Sequence, residues 1–347
     1  MGKIRGMILA AGEGTRLRPL TYFFAKPAVP FLGRPLIHYS LDLLSGMGVT
    51  DFAVNLHYLP ETVTSALAGR KEKIRLSHEK EILGTGGGLG KLRDYFSEST
   101  IVLSNGKIVF RDSGLEGALK QHLDSRAMVT MVLVPFKEGM PFKKVFLDRD
   151  RNITGFSRNI SSRKELEKIQ AECGTEGFVY TGVQILSSRV FSYIPDGYSD
   201  TVADIYPRMI RDGHPLKGYI SQGFWRECST PERYLQASLD SIPLTSSLTA
   251  GEMRGNLSPE HGIFTGCFVN IPNDTRVRNC VIWDNSRIGS GSSFDSVIVA
   301  GTSGILPNGM QVRDAVIAPR MPDPGKPLPA GVQTGPGYTV WPLHGTG

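Results

Sequence analysis

Cysteine is scarce in this chain, with four among 347 residues. Cys173, Cys228, Cys267 and Cys280 lie far apart and form no CxxC pair. That spacing argues against a disulfide scaffold or a structural metal site, and scattered thiols fit a reducing compartment. Long apolar runs are missing too. No stretch approaches the roughly 20 apolar residues a membrane helix needs, and the first residues do not read as a secretory leader. Met1-Gly2 begins like a myristoylation signal, but Gly6 stands where serine or threonine is required. The expectation is a cytoplasmic protein with no membrane partner. Charge of one sign is never concentrated either: 39 Lys and Arg against 33 Asp and Glu leave a net charge of +6. No basic run is interleaved with aromatics, so nucleic acid is not an expected partner. A mildly basic surface suits a protein that handles polyphosphate.

Glycine, by contrast, is plentiful. There are 40 in the chain, well above the roughly 7% of average usage. They cluster in two loops and in the C-terminal third. The stretch LAAGEGTRLRPLTYFFAKPAVPFLGRPLI, Leu9 to Ile37, organises everything else. The apolar run Ile4–Leu9 predicts a buried strand that empties into a loop holding Gly12, Gly14, Thr15, Arg16 and Arg18, with Lys26 further on. Small residues let a backbone close on a ligand and offer its N–H groups, while guanidinium and ammonium groups neutralise phosphate.

Periodicity predicts helices over Pro35–Gly46, Pro60–Leu67 and Leu115–Leu123, and strands over Phe52–Leu56, Ile74–Ser77, Ile101–Leu103 and the almost wholly apolar Met128–Val134. The glycine run within Glu81–Leu89 reads as a loop followed by a helix to Phe96. Such alternation argues for a mostly parallel sheet covered on both faces. Ligands on these sheets bind beyond the carboxyl ends of the strands. Three loops fall there: Ala10–Arg18, Gly84–Gly88 and Ser104–Lys107. Lys143–Phe156 reads as an antiparallel pair turning at Asp148–Asn152, Phe178–Leu186 as a strand, Ala203–Ile210 as a helix, and Thr230-Pro231-Glu232 as the start of another.

Beyond Asp240 the grammar changes. Residues 241–262 read as a linker. From Ile263, Val-Ile recurs after Asn279, Asp295 and Asp314, and Ile288, Phe294, Ala300, Leu306 and Val312 step by six. That period predicts a parallel β-helix over 263–320, since a sandwich would show turn-punctuated alternation instead. The Pro- and Gly-rich tail, 321–347, is expected to drape over the surface or stay disordered.

Two common phosphate motifs fail. A dinucleotide fingerprint needs a small residue where Leu17 stands, and a P-loop ending at Gly90-Lys91 needs Gly and Ser or Thr where Thr85 and Leu92 stand. What remains, AAGEGTRLRPLT…KPAVPFLGRPLI, resembles the signature of the sugar-1-phosphate nucleotidylyltransferases, the NDP-sugar pyrophosphorylases that include mannose-1-phosphate guanylyltransferase. LGTGGGL, SNGK, FVYTGVQIL and GFWRECSTPERYL resemble that family's later motifs, in order, over Ile4–Asp240. The resemblance implies an α/β, Rossmann-like nucleotide-diphospho-sugar transferase domain over 1–240, followed by a small left-handed parallel β-helix. It also implies a reaction in which a nucleoside triphosphate and a sugar 1-phosphate give an NDP-sugar and pyrophosphate. In that scheme Leu9, Ala10, Ala11 and Gly12 hold the base through backbone groups, with Gly84, Thr85, Gly86 and Gly87 opposite. Asn105 and Gly106 complete the nucleotide site. Gly14, Thr15 and Arg16 cradle the β- and γ-phosphates, and Lys26 reaches the α-phosphate or sugar phosphate, so Arg16 and Lys26 carry the catalysis. Glu176, Thr181 and Gly182 belong to the sugar pocket, although a solvated loop carboxylate is the plain alternative for Glu176. GTP with a mannose-like or heptose-like sugar is a family-level leaning, and the β-helix suggests homo- or hetero-oligomers.

The chain departs from the pattern at its metal. The family usually has Asn-Gly-Asp where this sequence has Asn105-Gly106-Lys107, and a second Asp where it has Glu227. Those two aspartates would hold Mg2+, which wants short, near-octahedral oxygen ligands. An ammonium at contact distance repels the ion by on the order of several kcal/mol at an effective dielectric near 20. Three outcomes are compatible. Lys107 replaces the metal by pairing with phosphate; or the chain binds nucleotide or nucleotide sugar without turnover, as a regulatory or scaffolding subunit; or Asp112 or Glu79 supplies the missing oxygens.

Overall fold

The computed structural model describes residues 3–137, 140, 142–160, 164, 166–168, 176–247, 255–302, 304–320 and 328–344. By contacts they fall into two units, Met1–Gly12 with Tyr39–Trp225, and Glu13–His38 with Arg226–Gly347. The division differs from a cut at residue 240. The chain leaves the first unit just after Gly12 and returns to it inside the helix Leu36–Gly46.

In the first unit the strands β1 (Lys3–Leu9), β2 (Asp51–Leu56), β3 (Lys73–His78) and β4 (Ser99–Asn105) are parallel neighbours. The helices α1 (Leu36–Gly46), α2 (Pro60–Leu67) and α3 (Gly84–Gly90) lie between them in sequence. After α4 (Glu116–Ser125) come β5 (Val129–Pro135), β6 (Phe142–Leu147), β7 (Ile153–Ile160) and β8 (Glu176–Ser187), then α5 (Tyr206–Arg211) and β9 (Leu216–Ile220). The nine-stranded sheet runs β7-β6-β8-β4-β1-β2-β3, with β5 paired to β8 and β9. Mixing arises at β8, which is antiparallel to β4, β5 and β6. From β1 the chain steps outward to β2 and β3, then comes back to place β4 on the other side of β1. That reversal is a topological switch point, where open α/β sheets take their ligands.

The core follows the apolar runs. Met7, Ile101, Leu103, Val129, Met131 and Leu133 are fully buried, with Phe96, Tyr206 and Met209 in the same cluster. One reading fails here. The Gly84–Gly88 segment is not a loop but the body of α3, and 91–98 form turns rather than the expected helix. Glycine disfavours helix by about 1 kcal/mol per residue, yet this helix is packed so closely that nothing larger fits. A Cβ on Gly87 would lie 2.0 Å from the Gly197 carbonyl oxygen, and one on Gly86 2.5 Å from Ser199 Oγ.

In the second unit α6 (Pro231–Ser241) opens on Thr230, whose hydroxyl accepts from the Arg233 N–H. Four parallel strands then stack in register: β10 (Ile263–Thr265), β11 (Cys280–Ile282), β12 (Ser293–Val299) and β13 (Gln311–Pro319). Phe264, Val281, Ile298 and Val316 lie in one row. Part of the expected linker joins them, since Asn256–Ser258 pairs with β10. The stack fits β-helix coils, but the repeat is offset from its reading in sequence. The left-handed corners are Asn279, Ser296 and Asp314, with φ of 51°, 59° and 47°, so Ser296 rather than Asp295 is the equivalent of Asn279. Ile288, Phe294 and Leu306 are buried among the coils with Cys280, whose thiol burial pushes up to about 12.

The tail is the second correction. Gln333–Gly335 (β14) and Tyr338–Pro342 (β15) are strands, and β15 runs antiparallel along β13. Trp341 is 2% exposed and its indole N–H donates to Thr339 Oγ1 at 2.9 Å. Proline and glycine dominate the tail's composition, but Thr339 and Trp341 alternate inward, and one large aromatic suffices to pin the strand.

Candidate functional site

At the rim of the sheet, register does the positioning. Leu9 is the partner of Asn55 on one side and of Asn105 on the other, so three strand ends reach the same level at the switch point. The Ala10 N–H donates to Asn55 Oδ1 at 2.8 Å, and Gly106 N–H donates to Leu9 O at 3.0 Å. Ser40 Oγ donates to Asn105 O. Gly182, with φ of 90°, sits so close to Asn105 that a Cβ would lie 2.6 Å from its amide nitrogen. The rim therefore brings Leu9 and Ala10 together with Asn105, Gly106 and Gly182.

A buried polar chain extends it. Asn55 donates to Glu79 Oε1 at 2.8 Å, and Glu79 Oε2 accepts from the Leu83 N–H at 3.0 Å. Both carboxylate oxygens are thus engaged, and the chain leads into α3. Gly84, with φ of 73°, turns the backbone there. The N–H groups of Gly86 and Gly87 donate to Ser199 O, at 2.8 and 3.3 Å, and Thr85 Oγ1 donates to Asp200 Oδ2 at 3.1 Å. Sequence reasoning missed Asn55, whose signal is a lone amide inside the apolar strand Phe52–Leu56. Ser199 and Asp200 carried no signal at all.

The sugar candidates come out differently from one another. The side chain of Glu176 lies outside the described residues. Thr181 is buried, its hydroxyl donating to Val132 O at 2.8 Å and accepting from Val183 N–H, while Trp225 Nε1–H donates to its carbonyl. These bonds fasten the bulge between Tyr180 and Gln184. Nearby, burial pushes the Tyr206 phenol well up, so it stays a neutral donor to Gln184 Oε1.

The basic loop lies in the second unit. Gly14 is left-handed, with φ of 70°, and begins the single turn Thr15–Leu17. A Cβ on it would stand 2.9 Å from Thr21 and 3.2 Å from the Lys26 side chain. Thr21 Oγ1 donates to Gly14 O at 2.9 Å. Lys26 is in this way folded against Gly14, two residues from Arg16, and Thr15 and Arg16 are exposed. Glu227 is buried: its Oε2 accepts from Ser229 Oγ and, at 3.0 Å, from Arg233 Nη1. Asp112, in the first unit, accepts from Gly114 N–H and Ser221 Oγ.

The profile of the nucleotidyl transferase family matches residues 5–242. The chain belongs to this family. Among relatives of this nucleotidyl transferase, the mannose-1-phosphate guanylyltransferase of Mycobacterium tuberculosis is 26% identical over 302 residues, 86% of this chain and 80% of the relative. The UTP–glucose-1-phosphate uridylyltransferase of Synechocystis is also 26% identical, over 90% and 81% of the two chains. Among solved structures, HddC from Yersinia pseudotuberculosis in complex with GMP-PN superposes with a TM-score of 0.57 at 20% identity, over 68% of this chain and 98% of that one. That likeness shows the shared mixed α/β fold. No helix among the described residues is long and apolar enough to cross a membrane.

Proposed function

We propose that this nucleotidyl transferase binds a nucleoside triphosphate and a sugar 1-phosphate and forms an NDP-sugar and pyrophosphate, with Lys107 standing where relatives by motif hold a metal. The observation that carries the reading is the level row Asn55–Leu9–Asn105 at the switch point, with Lys107 two residues past its end. A phosphate oxygen of the sugar attacks the α-phosphorus in line, the bond to the bridging oxygen of the β-phosphate breaks, and pyrophosphate departs with the negative charge. Such a step needs positioning and charge neutralisation from the protein. Leu9–Gly12 and Asn105–Gly106 seat the nucleoside, Gly84 and Thr85 face it, and Gly182 leaves room for the sugar. Arg16 and Lys26 take the phosphate charge. GTP with mannose 1-phosphate is the first pair to try, on the strength of the relatives.

Magnesium does not fit the residues present. Lys107 offers a cation where a ligand is needed, and the Glu227, Asp112 and Glu79 carboxylates each hold internal donors. The same engagement of Glu227 favours a second reading, a subunit that binds nucleotide or nucleotide sugar without turning it over. Pyrophosphate release from GTP, ATP, UTP and dTTP with several sugar 1-phosphates, with and without Mg2+, separates the two. Release supports the transferase; tight binding with no release supports the binder; neither binding nor release defeats both.

A further inference from the structure

The basic loop is held by aromatic side chains from far along the chain. The Arg18 guanidinium lies over the Tyr22 ring, 5.0 Å from its centroid, and Tyr22 in turn packs on Trp341, 5.8 Å between centroids. Phe24 meets Trp283 edge-on at 5.8 Å. The Trp283 indole N–H donates to Tyr234 OH at 3.0 Å, and that hydroxyl donates to Pro30 O. Tyr234 also meets Phe31 edge-on, at 5.8 Å. These contacts bracket the phosphate residues. Tyr22 follows Thr21, which fixes Gly14, while Phe24 and Pro30 flank Lys26.

We infer that Trp341 and Trp283, together with Tyr22 and Tyr234, are positioning residues for the phosphate-binding loop, so that triphosphate affinity depends on the C-terminal strand β15 and the β-stack. Both tryptophans lie beyond residue 242, where the family's profile ends. The inference rests on the reading that Gly14–Lys26 binds phosphate. Aromatic pairs are directional as well as apolar, so each ring fixes the orientation of its neighbour in the loop, not merely its burial. Coupling of this kind is reciprocal: whatever β15 adds to ligand affinity, the ligand returns to the order of β15.

The test uses the full chain, with GTP and inorganic pyrophosphate as probes, read by calorimetry and by amide hydrogen exchange over Tyr338–Pro342. GTP is expected to slow exchange in β15 of the wild type. Trp341→Ala and Tyr22→Leu are each expected to weaken GTP and pyrophosphate by about tenfold, and Trp341→Phe to recover most of the loss. Tyr22→Leu and the wild-type exchange measurement stand even where Trp341→Ala fails to fold. Unchanged exchange in β15, with GTP bound to Tyr22→Leu as tightly as to the wild type, overturns the inference while leaving the phosphate loop intact. No binding of GTP or pyrophosphate to the wild type overturns the phosphate reading itself, and this inference with it.

Discussion

The sheet rim and the basic loop reach their shapes by opposite means. At the rim, Leu9, Asn55 and Asn105 are level because parallel strands are in register, and a buried amide and carboxylate fasten Ala10 to α3. The basic loop has no ladder to hold it. It is held by short turns closed by local backbone bonds, one left-handed glycine, a threonine bond and aromatic rings. Geometry written into a sheet is insured by ladder bonds between strands, whereas the charged loop combines local turns with rings from elsewhere in the chain. Damage to the rim should therefore appear first as lost stability, and damage to the loop first as lost affinity.

The strongest way to break that contrast is Gly87→Ala. Its Cβ would sit 2.0 Å from the Gly197 carbonyl oxygen, and overpacking against backbone should cost about 3 kcal/mol or more. Thermal or urea unfolding should show the loss; a variant as stable as the wild type would mean α3 moves freely. Arg16→Ala probes the other side. It should weaken GTP by about 100-fold, as expected for a lost charge-assisted contact, with little change in unfolding temperature. Asn55→Ala leaves the Ala10 N–H and Glu79 Oε1 without their partner, and should lower stability by about 2 kcal/mol.

His122 gives a pH handle on the first unit. It is buried on α4 with Nδ1 bonded to Thr130 Oγ1, and burial lowers its pKa from 6.5 to about 4. The folded state thus holds it neutral where the unfolded chain binds a proton. Its contribution is complete above pH 6.5 and is lost as the pH falls towards 4, about 2 kcal/mol by pH 5. His122→Gln should flatten that slope in urea melts between pH 7.5 and 5. The smallest effect expected is that of Glu227→Gln. Its buried carboxylate accepts from Ser229 and Arg233, so the change, which keeps an acceptor oxygen, should cost about 1.5 kcal/mol of stability and leave any Mg2+ dependence of pyrophosphate release unaltered.

Much of this was legible in the sequence. Apolar runs and helix spacing placed β1–β5, and the glycine and arginine pattern of Gly12–Arg18 marked the point where the chain passes from the sheet rim into the basic loop. Physical causes explain the exceptions. α3 is a helix against its glycine propensity because Gly197 and Ser199 pack where side chains would stand. The repeat corner falls at Ser296 rather than Asp295 because left-handed corners and not side-chain type set the register. Trp341 looked like part of a tail, since only the fold shows Tyr22 beneath it.

In the proposed function Arg16 and Lys26 take the phosphate charge without a divalent ion. Calorimetric titration of the wild type with GTP, once in EDTA and once in Mg2+, tests it most directly. Dissociation constants within about threefold of each other, a difference under 1 kcal/mol, are expected. Binding that vanishes in EDTA and returns with Mg2+ would contradict that reading.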